Sequence, residues 1–97
     1  MLNELWRPIS NTYYAVSDRG RVQNMLTEDI LEPYMFGVDY RLRVNLDGRW
    51  IPIDSLVAEA FLCCLDCADW DILHLDGNPS NNTHTNLYLK EAECSLF

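Results

Sequence analysis

From Tyr40 to Leu46 the chain alternates without a break: Tyr40, Leu42, Val44 and Leu46 are apolar, while Arg41, Arg43 and Asn45 are polar. Side chains of an extended strand point to opposite faces in turn, so this pattern belongs to a half-buried strand. Asp47-Gly48 follows, a pair suited to a tight hairpin turn, and Arg49 to Ile53 returns. Pro52 places that second strand at an edge or near its end, because proline has no N–H for a ladder. Asp54 then stands where a helix N-cap is expected. The helix runs from Ser55 to about Cys64, with Leu56, Val57, Ala60, Phe61 and Cys64 on one face. A hairpin leading directly into an amphipathic helix sets the class as α+β.

The flanking segments extend that reading. Tyr13 to Ser17 and Arg21 to Met25 are expected as strands joined by the turn Asp18-Arg19-Gly20, with a further short strand over Ile30 to Pro33. After the helix, Trp70 to Leu75 reads as a short apolar strand and Asp76-Gly77-Asn78-Pro79 as a turn. Ser80 or Asn81 is expected to open a helical turn, and Leu87 to Leu89 to form a last strand. Ninety-seven residues with 48% hydrophobic side chains give one domain with a modest core, β-rich over 1–50, with the helix and final strands over 51–97.

Charge narrows the function. The chain carries a formal net charge of −8, and a protein that grips DNA phosphates normally supplies Lys and Arg to displace counterions. The excess is uneven. Residues 1–50 hold six arginines against seven acids, a balance of −1, whereas residues 51–97 hold Lys90 against eight acids, a balance of −7. The plain alternative is that acidity only keeps a small protein soluble. The opening MLNELWRPIS lacks a basic start followed by an apolar run, and no stretch approaches the roughly 20 apolar residues of a membrane span. The protein is therefore expected in the cytoplasm (that of a host cell, if it is phage-encoded), with its four cysteines reduced.

Two segments carry a resemblance. Glu4-Leu5-Trp6-Arg7-Pro8-Ile9 followed by Tyr14-Ala15-Val16-Ser17-Asp18-Arg19-Gly20-Arg21-Val22 resembles the nuclease-associated module that opens many phage HNH homing endonucleases. Leu56-Val57-Ala58-Glu59-Ala60-Phe61, then His74-Leu75-Asp76-Gly77-Asn78, Asn81-Asn82 and Asn86-Leu87, is similar to the HNH segment of the same proteins. Both occur in order and cover most of the chain, leaving residues 26–40 and 63–70 poorly matched. The resemblance implies a ββα-metal arrangement in the second half. In such a site a divalent cation held by oxygen or imidazole ligands binds the scissile phosphate, and a neutral histidine takes a proton from water.

By resemblance His74 takes the general-base position and Asn86 that of the asparagine orienting it. The family's aspartate, a metal ligand, precedes that histidine, and here Leu73 stands there. A second ligand is expected about nine residues beyond Asn86, where this chain has Ser95. The His-Arg pair often found before the Leu-Val-Ala helix is replaced by Asp54-Ser55. The segment is thus a degenerate HNH-like one, and no metal is expected. Were the site active, Asp76 is the candidate ligand, with Mg²⁺ or Mn²⁺ as the ion, and Asp71 is also near in sequence. Asp76 is equally explained as a turn residue bonding local amides, and His74 as an inherited fold element hydrogen-bonded to its loop. Cys64-Leu65-Asp66-Cys67 has the spacing of half a zinc site, but only Cys94 lies beyond it, so zinc is not expected.

Three functions follow. The first is a non-catalytic acidic inhibitor, of the anti-CRISPR or anti-restriction kind that phage genomes carry. Its surface of Asp66, Asp69, Asp71, Asp76, Glu91 and Glu93 would imitate DNA toward a basic nucleic-acid-binding groove on a protein partner. The second is a metal-dependent HNH endonuclease or nickase with His74 as base. The third is a DNA-binding regulator using Arg7, Arg19, Arg21, Arg41 and Arg43. The inhibitor accounts best for the charge and for Leu73, and direct DNA binding is not expected.

Overall fold

The computed structural model describes residues 3–35, 38, 40–62 and 70–91, with only the backbone at Trp70 and Glu91. Strand β1 (Trp6–Pro8) pairs with β2 (Tyr14–Ser17), and β2 with β3 (Val22–Asn24), all antiparallel. A second antiparallel sheet holds β4 (Tyr34–Met35), β5 (Leu42–Leu46) and β6 (Arg49–Pro52) in that order. Helix α1 (Ile53–Phe61) follows directly. A two-stranded hairpin of β7 (Trp70–His74) and β8 (Leu87–Glu91) follows, with a 3₁₀ turn at His84–Asn86 leading into β8. The α+β class is as the sequence predicts.

The hairpin β5–β6 forms because its turn chemistry matches the twist of its strands. Asp47 and Gly48 both take positive φ, 54° and 92°, as a two-residue turn of the mirror-image type requires. The Asn45 carboxamide oxygen accepts the Gly48 N–H at 2.7 Å. Val44 and Leu46 are buried and Leu42 partly so, but Tyr40 lies before the strand, exposed and at φ 55°. The alternation therefore governs burial only from Leu42 onward.

Helix α1 is central, lying against β2, β5, β6, β7 and β8. Its Ile53, Leu56 and Val57 join Tyr14, Val16 and Val22 of the first sheet, Val44 and Leu46 of the second, and Leu87 of β8 in one cluster. Ala60 and Phe61 pack on it from the helix end. Two details correct the expected boundaries. The helix begins two residues earlier, at Ile53, with Pro52 as its extended N-cap (φ −64°, ψ 134°), so Asp54 lies inside the first turn. Asp54 is only 3% exposed and is held by Arg41, whose Nε reaches Oδ2 at 3.1 Å and whose Nη2 reaches Oδ1 at 2.5 Å. A buried carboxylate needs an opposite charge more than a helix needs a cap. The helix also ends at Phe61 rather than near Cys64, and the Arg7 guanidinium donates to the Ala60 carbonyl, one of those the helix cannot satisfy itself.

Smaller differences have local causes. The expected strand over Ile30 to Pro33 is reduced to one bridge between Gln23 and Ile30. The helical turn expected at Ser80 or Asn81 falls at His84–Asn86. The Asn81 side chain is engaged instead with Asp76 and the Thr83 N–H. Strand β1 was not foreseen, since three residues containing a proline give no periodicity. Among the described residues no helix is long and apolar enough to cross a membrane.

Candidate functional site

His74 is the last residue of β7, opposite Leu87 of β8. Strand alternation puts Ile72, His74, Leu87 and Leu89 on one face of the hairpin and Asp71, Leu73, Tyr88 and Lys90 on the other. Leu87 is buried in the core and Ile72 packs against it. His74 therefore points to the covered side, while Leu73 lies on the opposite face.

The group that meets the imidazole is Asn82. Its Oδ1 lies 2.9 Å from His74 Nε2, and the residue is 4% exposed. A carboxamide oxygen only accepts, so the proton sits on Nε2 and Nδ1 is left as the basic nitrogen. Asn86, expected to orient His74, has other partners. Its amide donates to Asp76 Oδ1 and to the Asn81 carbonyl, both at 2.9 Å, and its oxygen accepts the Asp76 N–H at 3.1 Å.

Asn82 is itself held from the N-terminal sheet. The turn at Asp18-Arg19-Gly20 is built on Ser17, fully buried, whose hydroxyl accepts the N–H groups of Arg19 and Arg21 at 3.1 and 3.0 Å. Gly20 takes φ 83°, and a methyl group there would stand 2.8 Å from the Asn82 Cβ. Beside it the Asp18 carbonyl accepts the His84 N–H at 2.7 Å. The His84 and Phe61 ring centroids lie 5.9 Å apart, and the Arg7 guanidinium lies 4.8 Å over the Phe61 ring. His84 is thus part of the docking contact between the loop and the first sheet. No sequence signal distinguished Asn82 from its neighbours Asn81 and Asn86, and nothing local linked Gly20 to either.

Asp76 accepts from three donors of its turn and the following loop. It accepts from Asn81 Nδ2 at 2.9 Å, from the Asn78 N–H at 2.8 Å and from Asn86 Nδ2 at 2.9 Å. These donors, Asn81 first, hold its carboxyl down at about 2. Asp71 is exposed and stands opposite Lys90 in the register. Of the other expected acidic residues, Glu91 is described as backbone only, and Asp66, Asp69 and Glu93 lie outside the described residues. Cys64, Cys67, Cys94 and Ser95 lie outside them as well.

A nuclease site of this kind would require a divalent cation, and the described residues do not fit one. Leu73 has no donor atom, and no group of three or more His, Cys, Asp or Glu residues converges among the described residues.

These features define an α+β fold in which β7 ends on a histidine whose neighbour, Leu73, is apolar. The chain is similar to the solved structure of I-HmuI, an HNH homing endonuclease that binds and cleaves DNA, with a TM-score of 0.76 and 28% sequence identity. The likeness covers 90% of this chain and 52% of that one, so this chain spans about half the length of the endonuclease. No protein-family model and no curated protein matches the sequence.

Proposed function

We propose that this chain is a non-catalytic, acidic protein-binding domain derived from an HNH endonuclease. In this reading it acts in the cytoplasm as a phage anti-defence inhibitor, of the anti-CRISPR or anti-restriction type. It engages the basic DNA-binding surface of its target by presenting carboxylates where DNA would present phosphates. The observation that supports it most is the pairing of Leu73 beside His74 with an Asp76 whose oxygens are committed to Asn78, Asn81 and Asn86. The charge of −7 over residues 51–97 adds to it, since that field repels nucleic acid and attracts a cationic groove.

A second reading, a metal-dependent HNH endonuclease or nickase with His74 as general base, is favoured by one feature. Asn82 fixes the imidazole with Nδ1 as its basic nitrogen, the state a general base requires. Incubating the protein with supercoiled plasmid and Mg²⁺ or Mn²⁺, beside His74→Ala, separates the two. The inhibitor reading expects intact plasmid in both lanes and no mobility shift of DNA at low salt. Nicking by the native chain that His74→Ala abolishes would replace it with the second.

A further inference from the structure

Beyond β3 the chain turns back on itself at a tip that takes no part in the histidine site. The Asn24 carbonyl accepts the Glu28 N–H at 2.7 Å and the Asn24 N–H donates to the Asp29 carbonyl at 2.9 Å, so residues 25–28 form a closed loop. The Asn24 side-chain oxygen accepts the N–H groups of Leu26 and Thr27 at 2.8 and 3.3 Å, and Gln23 Nε2 donates to the Glu28 carbonyl at 3.1 Å. Residues 25–30 are all exposed. Leu26 stands 71% exposed and Met25 and Ile30 each 44%, while Tyr13, whose carbonyl accepts the Met25 N–H, is 64% exposed. Between Leu26 and Ile30 in the chain come Glu28 and Asp29, and neither carboxylate is paired with a cation among the described residues. The surrounding sequence is of one sign: residues 22–40 contain no lysine or arginine and four acids, Glu28, Asp29, Glu32 and Asp39, a balance of −4 within a first half that is nearly neutral. The tip also opens the stretch 26–40, where the resemblance to the endonucleases is poor, so an inherited nuclease role does not account for it.

We infer that this tip, with Tyr13 beside it, is a docking surface for a protein partner, and that the surface it meets is apolar with a rim of Lys and Arg. Charge selects the occupant. Two unpaired carboxylates in a segment without a base repel nucleic acid and an anionic membrane alike, and attract a cationic rim. The apolar side chains select a protein with an apolar centre, because their burial supplies an affinity that salt does not screen. The loop is closed by its own hydrogen bonds, so little ordering entropy is lost when it docks. The inference rests on the inhibitor reading for the basic character of the partner, and it adds an apolar contact on the first sheet to the acidic surface of residues 51–97.

The test titrates the ¹⁵N-labelled full chain with a short amphipathic helical peptide of leucine and lysine, which presents an apolar face between cationic borders. Two control peptides carry glutamate for every lysine or serine for every leucine. The expected result is saturating shifts of the amides of Tyr13 and residues 25–30, with at least tenfold weaker binding of either control. Leu26→Ser, and separately Glu28→Gln with Asp29→Asn, are expected to weaken the response at these amides about tenfold, as truncating an interface anchor does. Unchanged melting temperatures would show that the variants keep the fold. Shifts confined to residues 70–91 would overturn the tip as the docking surface while leaving the acidic inhibitor reading intact. An equal response to the serine control, saturating shifts at the tip with duplex DNA, or shifts that grow with the concentration of the chain alone would each overturn the proposal, as would no response. Plasmid nicking by the native chain would instead remove the inhibitor reading itself, whatever the titration gives.

Discussion

Asn82 and Asn86 are four residues apart, both polar and both near His74 in the chain, yet only Asn82 reaches the imidazole. Replacing Asn82 with Ala removes a buried hydrogen bond and is expected to cost about 1–2 kcal/mol. It also frees the ring, so the ¹⁵N shifts of His74 should move from a single Nε2–H tautomer toward a mixture. Asn86→Ala should leave those shifts nearly unchanged and loosen the turn at Asp76 instead. Glu4 offers a second prediction at this scale. The Arg21 guanidinium holds its carboxyl down at about 2, from an ordinary 4.5, and its side chain is 10% exposed. A lowered folded-state value means that the contribution is complete above about pH 4.5 and is lost as pH falls toward 2. Urea midpoints should therefore show Glu4→Gln less stable than the native chain at pH 7, with the gap closing through that window.

At the scale of elements, the β5–β6 hairpin, α1, β7 and β8 were readable because periodicity and turn residues are local properties. Asp54 looked like a helix cap for the same local reason. Its real partner, Arg41, lies across the hairpin and is invisible to neighbour-based reasoning. Removing that partner leaves a buried carboxylate uncompensated, so Arg41→Ala is expected to cost roughly 3 kcal/mol, read as a fall in denaturation midpoint. Asp54→Asn with Arg41→Ala should recover part of the loss, as expected of a coupled pair. The candidate site was legible to a similar degree. His74, the engaged state of Asp76 and the apolar position 73 follow from the sequence. The choice among three asparagines is made by Gly20, which only the folded chain brings near.

For the whole molecule, the cluster formed by Val16, Val22, Val44, Leu46, Val57 and Leu87 draws on both halves of the chain. Residues 1–50 and 51–97 are therefore expected to unfold together. Far-UV circular dichroism and tryptophan fluorescence should give coincident midpoints, and a fragment of residues 1–50 should remain unfolded. Two separated transitions would contradict a shared core.

The turn at Asp18–Gly20 meets the loop at Asn82–His84 so closely that neither tolerates a change alone. The φ of 83° and the 2.8 Å approach make Gly20→Ala costly, by about 1–3 kcal/mol, and the displaced atom is Cβ of the residue that orients His74. A hairpin transplanted from this chain into another scaffold would arrive without its reference point, its histidine free to turn. Recombination between related genes meets the same constraint. A crossover anywhere between codons 20 and 82 joins a turn to a loop it was not shaped for, so these distant stretches are inherited most safely as one piece.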